Sequence, residues 1–215
     1  MEEVQKDQAI LEINYMDEPE HPRNFLNWEL YSFSNRHSNF SSPEKYAHRL
    51  SRVNSPVSKA SWLKKLNANT GFWLDCYQHS GISWSMHGEG MQCRFDTAPW
   101  GGVLVGNYSD LKKMTHSERE ESAREALDIY NSYFNGAVFE FNLRIRGLSD
   151  ADNTDNDLIT EGWFDNYYDG NDLIRDVVDQ LKMHNLALEQ ITGTACGIFE
   201  FLHFEKEMER RNDAV

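Results

Sequence analysis

Residues 115–146 read THSEREESAREALDIYNSYFNGAVFEFNLRIR, and this stretch decides the predicted fold class. Thr115 and Glu118 have the spacing of a capping box, which starts a helix, and Gly136 has the position of a helix stop. Apolar residues between them recur at the three- and four-residue spacing of a buried helix face. They are Ala123, Ala126, Leu127, Tyr130, Tyr133 and Phe134. From residue 139 to residue 146 the apolar residues recur at every second position, which predicts a strand with one solvent-exposed face.

The other segments with clear periodicity are mostly strands, so the sequence predicts an α+β fold with a mostly antiparallel sheet and helices packed on one side. The predicted strands are residues 11–15, 28–34, 71–77, 82–86, 103–105 and 158–167. Residues 86–102 form a long glycine-containing connection, and a helix follows Asp169 and Gly170. We predict one α+β domain over residues 1–185 and a C-terminal helical extension over residues 186–215.

The chain is acidic, and the acidity is concentrated in its second half. It has 21 Lys and Arg against 35 Asp and Glu. Residues 1–100 contain ten basic and twelve acidic side chains, a net charge of −2, whereas residues 101–215 contain eleven and twenty-three, a net charge of −12. A field of this sign repels nucleic acid and attracts basic surfaces or cations, so direct binding of DNA or RNA is not expected.

Within residues 150–179 ten acidic side chains accompany one base, Arg175. If residues 157–169 form a strand, the acids at 157, 161, 165 and 169 share one face. If the following residues are helical, the acids at 169, 172, 176 and 179 lie about 5–6 Å apart on one face. Acids at this helical spacing approximate the phosphates of a nucleic-acid strand, so we predict a phosphate-mimicking surface that binds a partner. The alternative is a solvated face that aids solubility. The predicted partner-binding residues are Asp157, Glu161, Asp165, Asp169, Asp172, Asp176 and Asp179.

Three sets of residues offer alternative chemistry. Cys93 as nucleophile, His79 as base and Asp96 as orienting group would form a hydrolase-like catalytic site. Two sulfurs and two imidazoles, from Cys76, His79, His87 and Cys93, would supply the ligands of a structural zinc. Asp150, Asp152 and Glu161 fall at positions 1, 3 and 12 of a calcium loop, but Asp155 replaces the glycine that its sharp turn requires.

The sequence predicts a cytoplasmic protein without a cofactor. The N-terminal residues 1–3 are acidic where a signal peptide would be basic, and no apolar run approaches the roughly 20 residues that span a bilayer. Three cysteines form no disulfide framework, which fits a reducing compartment. The chain contains no phosphate loop, nucleophile elbow or metalloprotease helix.

Several short motifs, spread over residues 10–180, resemble an uncharacterised family carried by bacteriophages and mobile elements. They are Pro22-Arg23-Asn24-Phe25 with Asn27, His79-Ser80-Gly81-Ile82, Cys93 with Asp96, Tyr133-Phe134-Asn135-Gly136-Ala137-Val138, and Gly162-Trp163-Phe164 with Gly170. This resemblance implies a gene expressed in a bacterial cytoplasm. Together with the acidic stretch, it predicts an accessory protein that inhibits a host nucleic-acid-handling defence of the restriction or CRISPR type by occupying a basic groove in the host protein.

Overall fold

The computed structural model describes residues 9–33, 71–106, 108–146, 158–195 and 201–212. The chain forms two compact units. Unit 1 contains Met1–Pro19 and Gly136–Val215, and unit 2 contains Glu20–Asn135, so unit 2 is inserted between the two parts of unit 1. Both units combine strands with helices, which confirms the predicted α+β class. The division into two units differs from the predicted single domain over residues 1–185.

Unit 1 is built on a four-stranded sheet with the order β7-β6-β1-β8. Its strands are β1 (Ala9–Tyr15), β6 (Phe139–Arg146), β7 (Leu158–Tyr167) and β8 (Ile191–Ala195). β1 pairs with β6 antiparallel and with β8 parallel. Because β8 is a strand of this sheet, the predicted helical extension over residues 186–215 is helical only in part, chiefly at Phe201–Asn212. Gly193, which interrupts the helical pattern of this segment, lies in the short strand β8.

Helix α3 (Gly170–Met183) covers the core of unit 1. Asp169 caps its first turn by accepting a hydrogen bond from the Asn171 backbone N–H, and Asn185 adopts a left-handed conformation just after its end. The buried residues of α3 pack with those of β1 and β6, and Phe204 of helix α4 (Phe201–Asn212) joins them. The buried α3 residues are Leu173, Val177, Val178 and Leu181.

Unit 2 is built on an antiparallel sheet with the order β2-β5-β3-β4. Its strands are β2 (Trp28–Ser32), β3 (Gly71–Gln78), β4 (Ile82–Met86) and β5 (Thr97–Gly106). A short helix, α1 (Tyr108–Leu111), precedes the long helix α2 (His116–Phe134). The capping box of Thr115 and Glu118 is formed, as predicted. β5 begins before residue 103, so the predicted connection over residues 86–102 is shorter.

Helix α2 hydrogen-bonds to both edge strands of this sheet. On β2, the Tyr130 hydroxyl accepts from the Leu30 N–H (3.3 Å) and donates to the Trp28 carbonyl (3.1 Å). On β4, the Asn131 amide exchanges two hydrogen bonds with the backbone of Trp84, at 2.7 and 2.9 Å. Asn135 makes the same two-way contact with Ile82, at 2.9 and 2.7 Å. These side chains take the place of a neighbouring strand and close edges that would otherwise be open to pairing.

Candidate functional site

Helix α3 presents an acidic face, defined here as Asp169, Asp172, Asp176 and Asp179. All four residues are exposed, on the side of the helix opposite its buried apolar stripe. This arrangement follows from the sequence. The acids and the apolar residues each recur every three or four residues, and the two series are offset, so a helix places them on opposite sides. The structure therefore brings four of the seven predicted partner-binding residues together on one surface.

The described contacts of this face are local. Asp169 accepts from the Asn171 backbone, Asp172 pairs with Arg175 at 2.7 Å, and the Tyr167 hydroxyl donates to Asp176 at 2.8 Å. These partners lie within nine residues along the chain. Asp172 and Asp176 are therefore held by exposed contacts, which a partner can replace.

The remaining predicted acids do not extend this face regularly. Asp157 lies outside the described residues, and Glu161 and Asp165 lie in β7, where the structure describes only their backbone. The pairing of β6 with β7 contains two register shifts, so residues along β7 do not keep strict alternation. β7 ends at Tyr167, so Asp169 lies beyond the strand, and a shared strand face for residues 157, 161 and 165 stays a prediction. The calcium alternative falls mainly on residues outside those described.

A second site lies in unit 2 around Asp75, which is only 1% exposed. Its Oδ1 accepts from the His87 imidazole (2.7 Å) and the Trp100 backbone (2.9 Å), and its Oδ2 accepts from the Gly88 backbone (2.9 Å) and the Gln92 amide (3.1 Å). Burial acts to raise the pKa of Asp75, but these hydrogen bonds outweigh it and hold the pKa below the ordinary value of 3.8. We call these five residues the Asp75 centre.

An irregularity in the sheet creates the Asp75 centre. Leu74 pairs with Gly102 and Cys76 pairs with Ala98, so residues 99–101 bulge opposite Asp75. Trp100 in this bulge has a positive φ of 58°, which turns its N–H towards the carboxylate. Gly101 is needed because a Cβ there would lie 2.8 Å from the Ala98 carbonyl oxygen.

The Asp75 centre fixes the orientation of His87. An ionised carboxylate only accepts hydrogen bonds, so Nδ1 carries the proton that points to Asp75. The imidazole also stacks on the Trp100 indole, with ring centroids 3.7 Å apart. Nε2 has no hydrogen-bond partner among the residues that the structure describes, and the side chain is 35% exposed.

Cys93, His79 and Asp96, the alternative catalytic site, lie together, but not in the arrangement that this alternative requires. The Cys93 thiol donates to Asp96 Oδ2 at 3.3 Å, and His79 Nδ1 lies 3.6 Å from the same oxygen. The carboxylate therefore contacts both other groups, and no hydrogen bond joins the thiol to the imidazole within the described chain. The contact that activates a cysteine nucleophile is not formed.

The predicted zinc ligands do not assemble. Cys76 is 2% exposed in the core of unit 2, and burial raises the pKa of its thiol to about 12. His87 is turned towards Asp75, and Cys93 donates to Asp96. Among the described residues there is no group of three or more His, Cys, Asp or Glu side chains that could hold a metal ion.

Asp75 is the site residue that sequence reasoning missed. It is a single acid in the run Phe72-Trp73-Leu74-Asp75-Cys76-Tyr77, inside a predicted strand. A charge inside an apolar strand is the signal that could have identified it, because a buried charge needs several hydrogen-bond partners.

Comparisons of the chain with protein-family models, curated proteins and solved structures gave no match. The resemblance to a bacteriophage and mobile-element family therefore stays a prediction. The described helices include none with the length and apolar character needed to span a bilayer.

Proposed function

We propose that the protein is a phage or mobile-element accessory protein that binds and inhibits a host nucleic-acid-handling defence protein in the bacterial cytoplasm. The acidic face of α3 would occupy the basic groove that normally holds nucleic acid. The observation that carries this proposal is the exposure of four aspartates on one side of one helix.

The charge distribution supports this choice of partner. The chain has a formal net charge of −14, and residues 101–215, which include α3, contribute −12 of it. Such a field accelerates the approach of a basic surface and opposes the approach of nucleic acid. A protein whose groove is lined with Lys and Arg is the partner that this field selects.

The spacing of the acidic face supports phosphate mimicry. Side chains at positions i, i+3 and i+4 of a helix lie about 5–6 Å apart, so Asp172, Asp176 and Asp179 form a row of carboxylates along one side of α3. Lysine and arginine side chains that bind successive phosphates can reach such a row, because their flexible stems tolerate ångström differences in spacing.

The intramolecular contacts of the acidic face oppose binding only weakly. Asp172 and Arg175 are 58% and 51% exposed, and exposed ion pairs of this kind contribute at most about 0.5 kcal/mol. A partner arginine that forms a bidentate, desolvated pair with Asp172 gains more than this.

The experiment uses a variant that removes charge without changing shape. Asp172→Asn, Asp176→Asn and Asp179→Asn are combined, and Asp169 is kept because it caps α3. The wild type and the variant are expressed in bacterial strains that each carry one restriction or CRISPR system, and the efficiency of plating of a targeted phage is measured. We expect the wild type to restore plating in at least one strain and the variant to lose most of this effect.

A matched control separates position from total charge. Glu18→Gln, Glu121→Gln and Glu125→Gln change three exposed acids outside the acidic face, so the net charge changes by the same amount. We expect this control to protect the phage as well as the wild type does. Equal protection by all three proteins, or by none of them in any strain, would contradict the proposal.

A further inference from the structure

We propose that His87 in unit 2 is a general base for the hydrolysis of a neutral carboxylic ester, with Asp75 as its positioning residue. This inference does not depend on the proposed function, which concerns unit 1. It depends on the geometry of the Asp75 centre.

The protonation pattern of His87 is fixed by its hydrogen bond to Asp75. Its Nδ1–H donates to the buried Asp75 carboxylate at 2.7 Å, so in the neutral imidazole the lone pair is on Nε2. Nε2 has no hydrogen-bond partner within the described ranges, and the side chain reaches solvent. A water molecule at Nε2 can therefore give up its proton to a base whose tautomer is already fixed.

Contacts on either side hold the surroundings of His87 in place. His87 is held on one face by Trp100, which has a left-handed backbone that is costly for a residue other than glycine. The segment after His87 is tied to α2 by a two-bond contact between Glu89 and Arg124, at 2.7 and 3.1 Å. Left-handed non-glycine residues and sheet bulges both occur preferentially near active sites.

The aromatic surface beside the His87 imidazole indicates the substrate class. Trp100 is 37% exposed, and its ring centroid lies 5.4 Å from that of Trp73, so the imidazole adjoins aromatic surface. Such surface favours a flat apolar group on the substrate. The ionised Asp75 carboxylate, hydrogen-bonded to the other nitrogen of the imidazole, disfavours phosphate esters and other anions beside His87. An uncharged ester with an aromatic alcohol part fits both conditions.

The proposed step uses water as the only co-reactant. Nε2 takes one proton from water while the water oxygen forms a bond with the ester carbonyl carbon. The tetrahedral intermediate collapses, the bond between carbon and the alcohol oxygen breaks, and Nε2 returns the proton to the leaving alkoxide. The products are a carboxylic acid and an alcohol.

The test measures hydrolysis of 1-naphthyl acetate by the purified full-length protein. A positioned general base contributes about 100-fold or more, so we expect His87→Gln to lower kcat/KM by about this factor. The control is His116→Gln, which changes an exposed histidine on α2. It should leave the rate within about twofold of the wild type, because a solvated imidazole that is not held against the substrate contributes only weak background hydrolysis. Equal rates for wild type and His87→Gln would overturn the proposal, also when both rates equal that of spontaneous hydrolysis in buffer.

Two further measurements define the substrate class and the role of Asp75. Hydrolysis of 1-naphthyl phosphate at a rate equal to or above that of the acetate would overturn the assignment to neutral esters. Asp75→Asn should lower kcat and leave KM nearly unchanged in the fraction that remains folded, because the amide no longer fixes the imidazole. An Asp75→Asn protein that is folded and has wild-type kcat would overturn the positioning role.

Discussion

Asp75 in unit 2 is 1% exposed and accepts four hydrogen bonds, whereas the aspartates of the acidic face in unit 1 are exposed and have contacts with near neighbours in the chain. All are the same residue type in a strongly acidic chain. The groups around each carboxylate differ, and these groups determine what its removal costs. Loss of the Asp75 carboxylate leaves buried donors without an acceptor, whereas loss of an exposed carboxylate leaves its partners in water.

The comparison separates structural acids from acids that are available to a partner. A carboxylate that organises two loops cannot also bind another protein without disturbing the fold. A carboxylate on a solvated helix face can be changed with little effect on folding, so any large effect of its removal must come from an interaction with another molecule.

The largest expected effect is that of Asp75→Asn on stability. The amide nitrogen would face donors at Gly88, Trp100 or His87, so at least one buried donor would lose its acceptor. We expect the free energy of unfolding to fall by about 3 kcal/mol, measured by urea denaturation followed through tryptophan fluorescence. A change below about 0.5 kcal/mol, the range of ordinary surface substitutions, would contradict the structural role of Asp75.

The same carboxylate predicts a pH dependence of stability. The pKa of Asp75 is lowered in the folded protein, so its contribution is fully present above the ordinary value of 3.8 and is lost as pH falls through the folded value. The difference in unfolding free energy between wild type and Asp75→Asn should therefore shrink as the pH is lowered below about 4. A difference that stays constant in acid would mean that folding does not shift the pKa of Asp75, and one that grows would mean that folding raises it.

An intermediate effect is expected for the amides that cover the β4 edge. Asn131→Ala removes two hydrogen bonds to the part-buried backbone of Trp84 and should cost about 2 kcal/mol. Asn135→Ala removes two exposed contacts with Ile82 and should cost about 1 kcal/mol. Ser132→Ala, on the same helix, is the control and should change stability by less than about 0.5 kcal/mol. Equal costs for all three variants would argue against a role for the amides in closing the edge.

The smallest effect on stability is expected for the acidic face. The combined Asp172→Asn, Asp176→Asn and Asp179→Asn variant should unfold within about 0.5 kcal/mol of the wild type, because exposed charge contacts contribute little. Thermal and urea unfolding of the purified variant check this expectation. A loss of 2 kcal/mol or more would mean that these carboxylates are structural, like Asp75.

Much of the secondary structure could be predicted from local pattern. β4 and β7 have the predicted bounds, and the capping box before α2 is formed, because these elements depend on alternation and capping within a few residues. β8 and the two-unit division could not be predicted in this way. β1 pairs with β6 and β8, which lie more than 120 residues further along the chain. Local periodicity does not indicate which distant strands pair.

The candidate sites show the same limit. The acidic face was predictable because charge and helical spacing are local properties of residues 169–179. The Asp75 centre was not, because it depends on a sheet bulge that brings residue 100 back to residue 75. The contacts among Cys93, His79 and Asp96 could not be derived from the sequence either, which offered these residues only as an alternative site.

The most direct test of the central claim is the salt dependence of association with the defence protein that the plating experiment identifies. Association rate constants are measured for the wild type, the triple Asn variant of the acidic face and the triple Gln control at increasing NaCl concentrations. The account predicts that the rate constant of the wild type and the control falls steeply with salt, and that the Asn variant binds more slowly at low salt with a shallower dependence. Identical rate constants and salt slopes for the wild type and the Asn variant would contradict it.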